Sequence, residues 1–168
     1  LVGSEMCIRD RLILERGGEA LNRENRMAEA KKLLREKLFD WDPKDIKLET
    51  GRHYQPYWQG FQIGAQFAFA KLLKNLGSDE IKIDLTPDTD RDATRICFAL
   101  SDHPGIFSRL SGALALVGAN VVDARSYTSK DGFATAAFWI QDSDGAPYDK
   151  SRFSRLRGMI EKTLSGEI

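Results

Sequence analysis

Leu100-Ser101-Asp102-His103-Pro104-Gly105-Ile106-Phe107 is the point where one periodicity ends and another begins. The residues before it, 94–100, are rich in apolar side chains, as a strand with both faces covered would be. After it, Ile106, Phe107, Leu110, Ala113, Leu114 and Val117 recur at helical spacing until Gly118 stops the run. Asp102 is expected to cap that helix. Pro104 suits its first turn, where the missing N–H removes no bond. Further on, 120–128 reads as a strand, Ser129-Lys130-Asp131-Gly132 as a hairpin turn carrying the Asp-Gly signal, and 133–141 as the partner strand. Asp142-Ser143-Asp144-Gly145 is loop. A last helix over 148–165 directs Phe153, Leu156, Ile160 and Leu164 inward. The order from Thr94 is β-α-β-β-α.

Upstream of residue 80 the period is that of helices. Met27, Ala30, Leu34 and Leu38 mark an amphipathic helix over 23–40, ended by Asp42-Pro43. Asp42 and Pro43 then start a short helix over 43–50. An aromatic cluster follows (His53, Tyr54, Tyr57, Trp58, Phe61), expected to act as an apolar anchor between two parts of the chain. A third helix over 59–76 closes at Gly77-Ser78-Asp79. Ile81, Ile83 and Leu85 alternate like a half-buried strand, and 86–92 reads as a polar loop. The fold class is α+β, a helical segment followed by a ferredoxin-like unit. Such a unit is completed by a strand after its second helix. None is expected before residue 168, so the sheet should expose an extra edge.

Composition narrows the function classes. The chain has 168 residues, 42% hydrophobic, with 25 Lys+Arg against 25 Asp+Glu. That balance argues against a nucleic-acid partner, which needs a basic excess. No run approaches the roughly 18 apolar residues of a membrane span. Cys7 and Cys97 make no disulfide framework and fit a reducing compartment, so a cytoplasmic location is expected. Residues 1–11 have neither helical periodicity nor the order of a signal peptide; they resemble a translated sequencing-adapter scar and are set apart. The chain is then expected to be an interior piece of a longer protein.

The quoted loop, with Gly112-Ala113-Leu114-Ala115 and Gly118-Ala119-Asn120-Val121-Val122-Asp123-Ala124, resembles an ACT domain, the small-molecule-sensing regulatory module. Further segments resemble the bacterial PII uridylyltransferase/uridylyl-removing family. They are His53-Tyr54-Gln55-Pro56-Tyr57-Trp58-Gln59-Gly60-Phe61, Asp102 through Arg109, Val122-Asp123-Ala124-Arg125, and Phe138-Trp139-Ile140-Gln141-Asp142. The resemblance covers residues 12–168. It implies that 12–80 are the helical tail of an HD phosphohydrolase-type domain and that 81–168 are the first of two ACT domains. It also implies glutamine as effector, PII protein as the parent's substrate, and partners in the HD domain and the second ACT domain. Mg²⁺ is implied for the parent's transferase chemistry, and no cofactor for this segment.

The residues of the loop are compatible with that reading. Free amides and the helix dipole attract a carboxylate, and Gly105 leaves room for a ligand to approach. Asn120 offers a bond to an amine or amide. The candidate ligand-binding set is Asp102, His103, Pro104, Gly105, Ile106 and Asn120. Two other readings stay open: an ACT domain serving another amino-acid-controlled enzyme, and a structural ACT module that dimerises without ligand.

Other patterns point elsewhere and are set aside. Gly77-Ser78 followed by Asp88 and Asp90 mimics a nucleotidyltransferase signature, but its carboxylates fall beside Pro87 in a polar region. His53 and His103 lack metal-ligand spacing. Cys97, between Ile96 and Phe98, reads as an inert buried thiol. The β-α-β-β-α order also fits an RNA-recognition module, but Asp131 stands where a base would lead and Thr135 where an aromatic would stack. No catalytic residue is expected in this segment. The run Gly64–Ala70 is more apolar than the family pattern suggests, which leaves the packing of that helix open.

Overall fold

The computed structural model describes residues 21–166; the segment set apart at 1–11 lies outside them. Residues 21–37 are helical (α1). They are followed by α2 (Pro43–Gly51), α3 (Gln55–Gly60) and α4 (Ile63–Leu73). Next come β1 (Ile81–Asp88), β2 (Ala93–Ser101), α5 (Ile106–Leu116), β3 (Asn120–Thr128) and β4 (Phe133–Gln141). A short 3₁₀ turn at Lys150–Arg152 leads into α6 (Phe153–Ser165). The start of α2 follows its sequence signal, since the Asp42 carboxylate accepts from the Lys44 amide at 2.9 Å. The third helix splits. Phe61 and Gln62 are extended, and the 59–76 expectation becomes α3 and the shorter α4.

The sheet has four strands in the order β1-β2-β4-β3, and each neighbouring pair is antiparallel. The expected open flank of β2 is filled. β1 pairs with it from Ile81 opposite Leu100 to Asp88 opposite Ala93. The fourth strand of the sheet therefore comes from the residues before the β-α-β-β-α unit. The expected polar loop at 86–92 contracts for the same reason. Thr86, Pro87 and Asp88 belong to β1, where Pro87 is tolerated because β1 is an edge strand. Asp92, at φ 52°, turns the chain into β2.

Both faces of the two central strands are covered, which is why β2 and β4 read as near-continuous apolar runs. One face carries Ile96, Phe98, Leu100, Ala134, Ala136, Phe138 and Ile140 against α5 and α6, as an aliphatic and aromatic core. The other carries small residues, Ala93, Cys97, Ala99 and Ala137, so α4 can approach closely with Ala65, Ala68 and Phe69. This accounts for the apolar run at 64–70: that helix packs on the second face of the sheet. Gln66, within it, is buried and donates to the carbonyls of Trp58 and Phe61 at 3.3 and 2.8 Å. The aromatic cluster joins the layers as expected. Tyr57 and Phe61 meet Tyr127 of β3 edge-on, at ring separations of 6.3 and 5.1 Å. Gly60 leaves the room this needs, because a Cβ there would lie 1.8 Å from the Tyr127 hydroxyl.

Candidate functional site

Strand β2 ends at Ser101, and the chain enters α5 through Asp102-His103-Pro104-Gly105, all exposed. Capping differs from the expectation. Gly105, at φ 80°, occupies the N-cap position and no side chain caps the helix; Pro104 lies in the turn before it. Asp102 instead ties the loop to the β3–β4 hairpin. Its carboxylate accepts from the Thr128 hydroxyl at 3.2 Å, and its amide donates to the Gly132 carbonyl at 2.9 Å. A left-handed N-cap explains the glycine, and a Cβ there would meet nothing within 4 Å, so the space above it is open. The amides of Phe107 and Ser108, in the first turn of α5, have no intrahelical acceptor. They form the donor set that attracts an oxyanion.

The six expected residues do not form one group. Asp102, His103, Pro104 and Gly105 cluster, while the Ile106 side chain is buried in the core beneath them. Asn120 lies at the far end of the sheet, paired with Gln141, whereas Ser101 pairs with Phe133. The eight residue steps of β4 between those positions span about 26 Å, so one ligand cannot touch both within one chain. The expectation that Asn120 joins the loop is corrected on that ground.

A cavity of about 250 Å³ adjoins the loop, lined by Ser78, Asp79, Glu80, Ser101, His103 and Arg109 among others. Its walls carry both signs of charge, which suits a zwitterion: Asp79 and Glu80 for an ammonium, Arg109 for a carboxylate. Two contacts shape it. The Ser101 hydroxyl donates to the Ser78 carbonyl at 2.7 Å, and Arg109 donates to the Leu164 carbonyl of α6. Asp79, Glu80 and Arg109 were absent from the expected set. Arg109 carried a signal, one turn beyond Gly105; the acidic pair did not, because only the register of β1 brings it beside β2.

The same loop connects to the helical layer. The Arg52 carbonyl accepts from the Lys130 amide of the hairpin at 2.7 Å, and the Arg52 guanidinium meets Asp131 at 3.2 Å. Arg52 also meets Glu49 at 3.3 Å, and Glu49 binds His53 at 2.7 Å. All three helical-layer residues are buried, and the His53 ring stacks on Tyr57 with centroids 3.6 Å apart. Burial pushes the Tyr57 hydroxyl well above the usual phenol range, with the nearby Glu49 charge adding to the effect. Contacts therefore run without a gap from Asp102 through the hairpin to α2 and α3.

Of the two carboxylates of the nucleotidyltransferase mimic, Asp90 is exposed and Asp88 has structural partners. Asp88 accepts from the Trp139 indole at 2.8 Å and faces Arg91, and no group of three metal-ligating side chains exists among the described residues. Cys97 is inert as expected: burial pushes its thiol up to about 12, although Arg95 beside it acts in the opposite direction. No helix among the described residues is long and apolar enough to cross a membrane.

Residues 95–150 match the ACT domain family model. Over 155 residues the chain is 66% identical to a bifunctional uridylyltransferase/uridylyl-removing enzyme of Cereibacter sphaeroides, covering 92% of this chain and 17% of that protein. A protein of the same description from Ruegeria pomeroyi is 60% identical over 161 residues, and one from Azospirillum brasilense 33% over 168; these matches cover 92% and 98% of this chain and 18% of each relative. The chain thus spans less than a fifth of the length of the curated relatives it matches.

Proposed function

We propose, for a chain that belongs over its matched length to the bifunctional uridylyltransferase/uridylyl-removing family, that it is the regulatory segment in which an ACT domain senses glutamine. Occupancy then controls uridylylation and deuridylylation of PII by the whole cytoplasmic enzyme. Uridylyl transfer, its Mg²⁺ and hydrolysis are assigned to other parts of that enzyme. The observation that carries the reading is the two-signed cavity beside His103. Glutamine seats its carboxylate toward Arg109 and its ammonium toward Asp79 and Glu80. His103 and Ser101 offer hydrogen bonds to the side-chain amide.

Binding energy reaches the helices through the hairpin. A ligand held by Ser101 and His103 acts on Asp102 between them, which is tied to Thr128 and Gly132, and Asp131 and Lys130 of the same hairpin hold Arg52. This is a coupling between two distinct places in the fold, as allostery requires. Calorimetric titration with glutamine, glutamate and asparagine tests the reading. It expects heat from glutamine that falls at least about tenfold in affinity on Arg109→Gln. Equal affinity in that variant contradicts the pocket, and binding of a different amino acid alone contradicts glutamine as effector. One observation favours the structural reading: β3 is an edge strand with Val121 and Val122 exposed. That reading expects a stable dimer and no heat from any amino acid.

A further inference from the structure

At the opposite end of the sheet, on the face covered by α3 and α4, three arginines converge on a crevice of about 160 Å³. Arg91, Arg95 and Arg125 line it with Gln59, Gln62 and Trp139. Two of the guanidiniums are already held. Arg91 lies over the Trp139 ring at 4.0 Å and pairs with Asp123 at 2.6 Å and Asp88 at 3.8 Å. Arg125 donates to the Gly60 carbonyl at 2.6 Å and lies 4.0 Å from Asp123. Arg95 differs. It forms no ion pair with the described residues, its Nε is buried without a hydrogen-bond partner, its contact with the Gly64 carbonyl is long at 3.4 Å, and its other close neighbour is the neutral Cys97 thiol. A buried guanidinium N–H without an acceptor is costly unless something fills the site. Within the crevice itself three cations face two carboxylates, Asp88 and Asp123, the further acids Asp84 and Asp90 lining the adjoining cleft instead.

We propose that this crevice binds a phosphate-type oxyanion, held by Arg95 and Arg125 and flanked by the amides of Gln59 and Gln62. Planar guanidinium forks match that geometry. The crevice adjoins a larger cleft of about 420 Å³ that shares Gln62, Asp88 and Arg95. Beyond the shared Asp88 and Arg95, that cleft adds Asp84 and Asp90 against Lys71, so it rejects a second anionic group and suits a neutral, hydroxyl-bearing body. The ligand class is therefore a phosphomonoester with an uncharged polar remainder, or phosphate itself. The site is separate from the amino-acid cavity, and its test reads nothing from that cavity.

The test is titration of the 168-residue chain with inorganic phosphate and with ribose 5-phosphate at constant ionic strength, using acetate as control. Arg95→Gln and Arg125→Gln are compared with the parent, and circular dichroism reports that each is folded. Arg125 lies at the surface, so that variant keeps the test readable if Arg95→Gln is unstable. Saturable phosphate binding that weakens about tenfold or more in either variant supports the proposal. Tighter ribose 5-phosphate binding assigns the larger cleft to the organic part; equal binding assigns the site to free phosphate. No saturable binding of either probe, or unchanged affinity in both folded variants, overturns it.

Discussion

The two faces of the sheet solve the same burial problem in different ways. Against α5 and α6 the packing is dry: Phe98, Phe138, Ile96, Ile140, Leu110 and Ile160 touch one another with no charged residue among them. Against α1–α4 the strands present alanines and Cys97, aromatic rings fill the space, and the Glu49–Arg52–His53 group is sealed inside. The first face needs only volume. The second needs particular partners, and buried polar groups bind one arrangement far better than its neighbours because an unpaired one is so costly. The face that specifies a unique arrangement is the one through which the loop at Asp102 reaches the helices.

Substitutions can break or sharpen this contrast. Phe98→Ala should have the largest effect, about 3–5 kcal/mol from lost transfer energy and a cavity, measured by urea unfolding. Glu49→Ala should come close, about 3 kcal/mol, because Arg52 and His53 lose their buried acid while Asp131 still faces Arg52. A loss below about 1 kcal/mol would mean that the second face is held by apolar contact alone. Gly60→Ala should cost about 1–3 kcal/mol by driving a methyl into Tyr127. Most of that loss should vanish in a Tyr127→Ala background, and a coupling energy near zero would separate α3 from β3.

A smaller effect is pH-dependent and belongs to the second face alone. Folding raises the Cys97 thiol from 9.0 to about 12 and raises Tyr57 as well, so the folded state favours both neutral forms. Their contribution is complete below about pH 9. It is lost as pH rises toward 12, at up to about 1.4 kcal/mol per pH unit for each ionising group. Cys97→Ala should flatten the decline in stability above pH 9. An unchanged slope in that variant would show that the thiol ionises equally in both states.

Much of this was legible in the sequence, for reasons tied to particular residues. The Asp-Gly turn, the Asp42 cap and the helical spacing of Leu110, Ala113 and Leu114 are local signals, and each gave its element. The role of β1 was not legible, because its pairing with β2 is a tertiary contact that no residue within 81–88 announces. The break at Phe61–Gln62 was hidden for a similar reason. Apolar spacing continues through it, whereas the extended backbone at Phe61 and Gln62 is accompanied by the buried Gln66 amide bonding the Trp58 and Phe61 carbonyls, a contact no local pattern announces. At the site, the place of the loop between β2 and α5 was readable, while its capping was not: Gly105 takes the position expected of Asp102. Asn120 was misplaced because strand direction, invisible in a motif, carries it to the other end.

Hydrogen exchange across the whole chain, with and without saturating glutamine, tests the central claim most directly. Protection should rise in residues 101–109, in the β3–β4 hairpin, and in 43–60 of the helical layer; Arg52→Gln should remove the last of these while leaving the first. Glutamine binding with protection confined to the loop, or spread to 43–60 equally well in Arg52→Gln, would contradict the route through the hairpin.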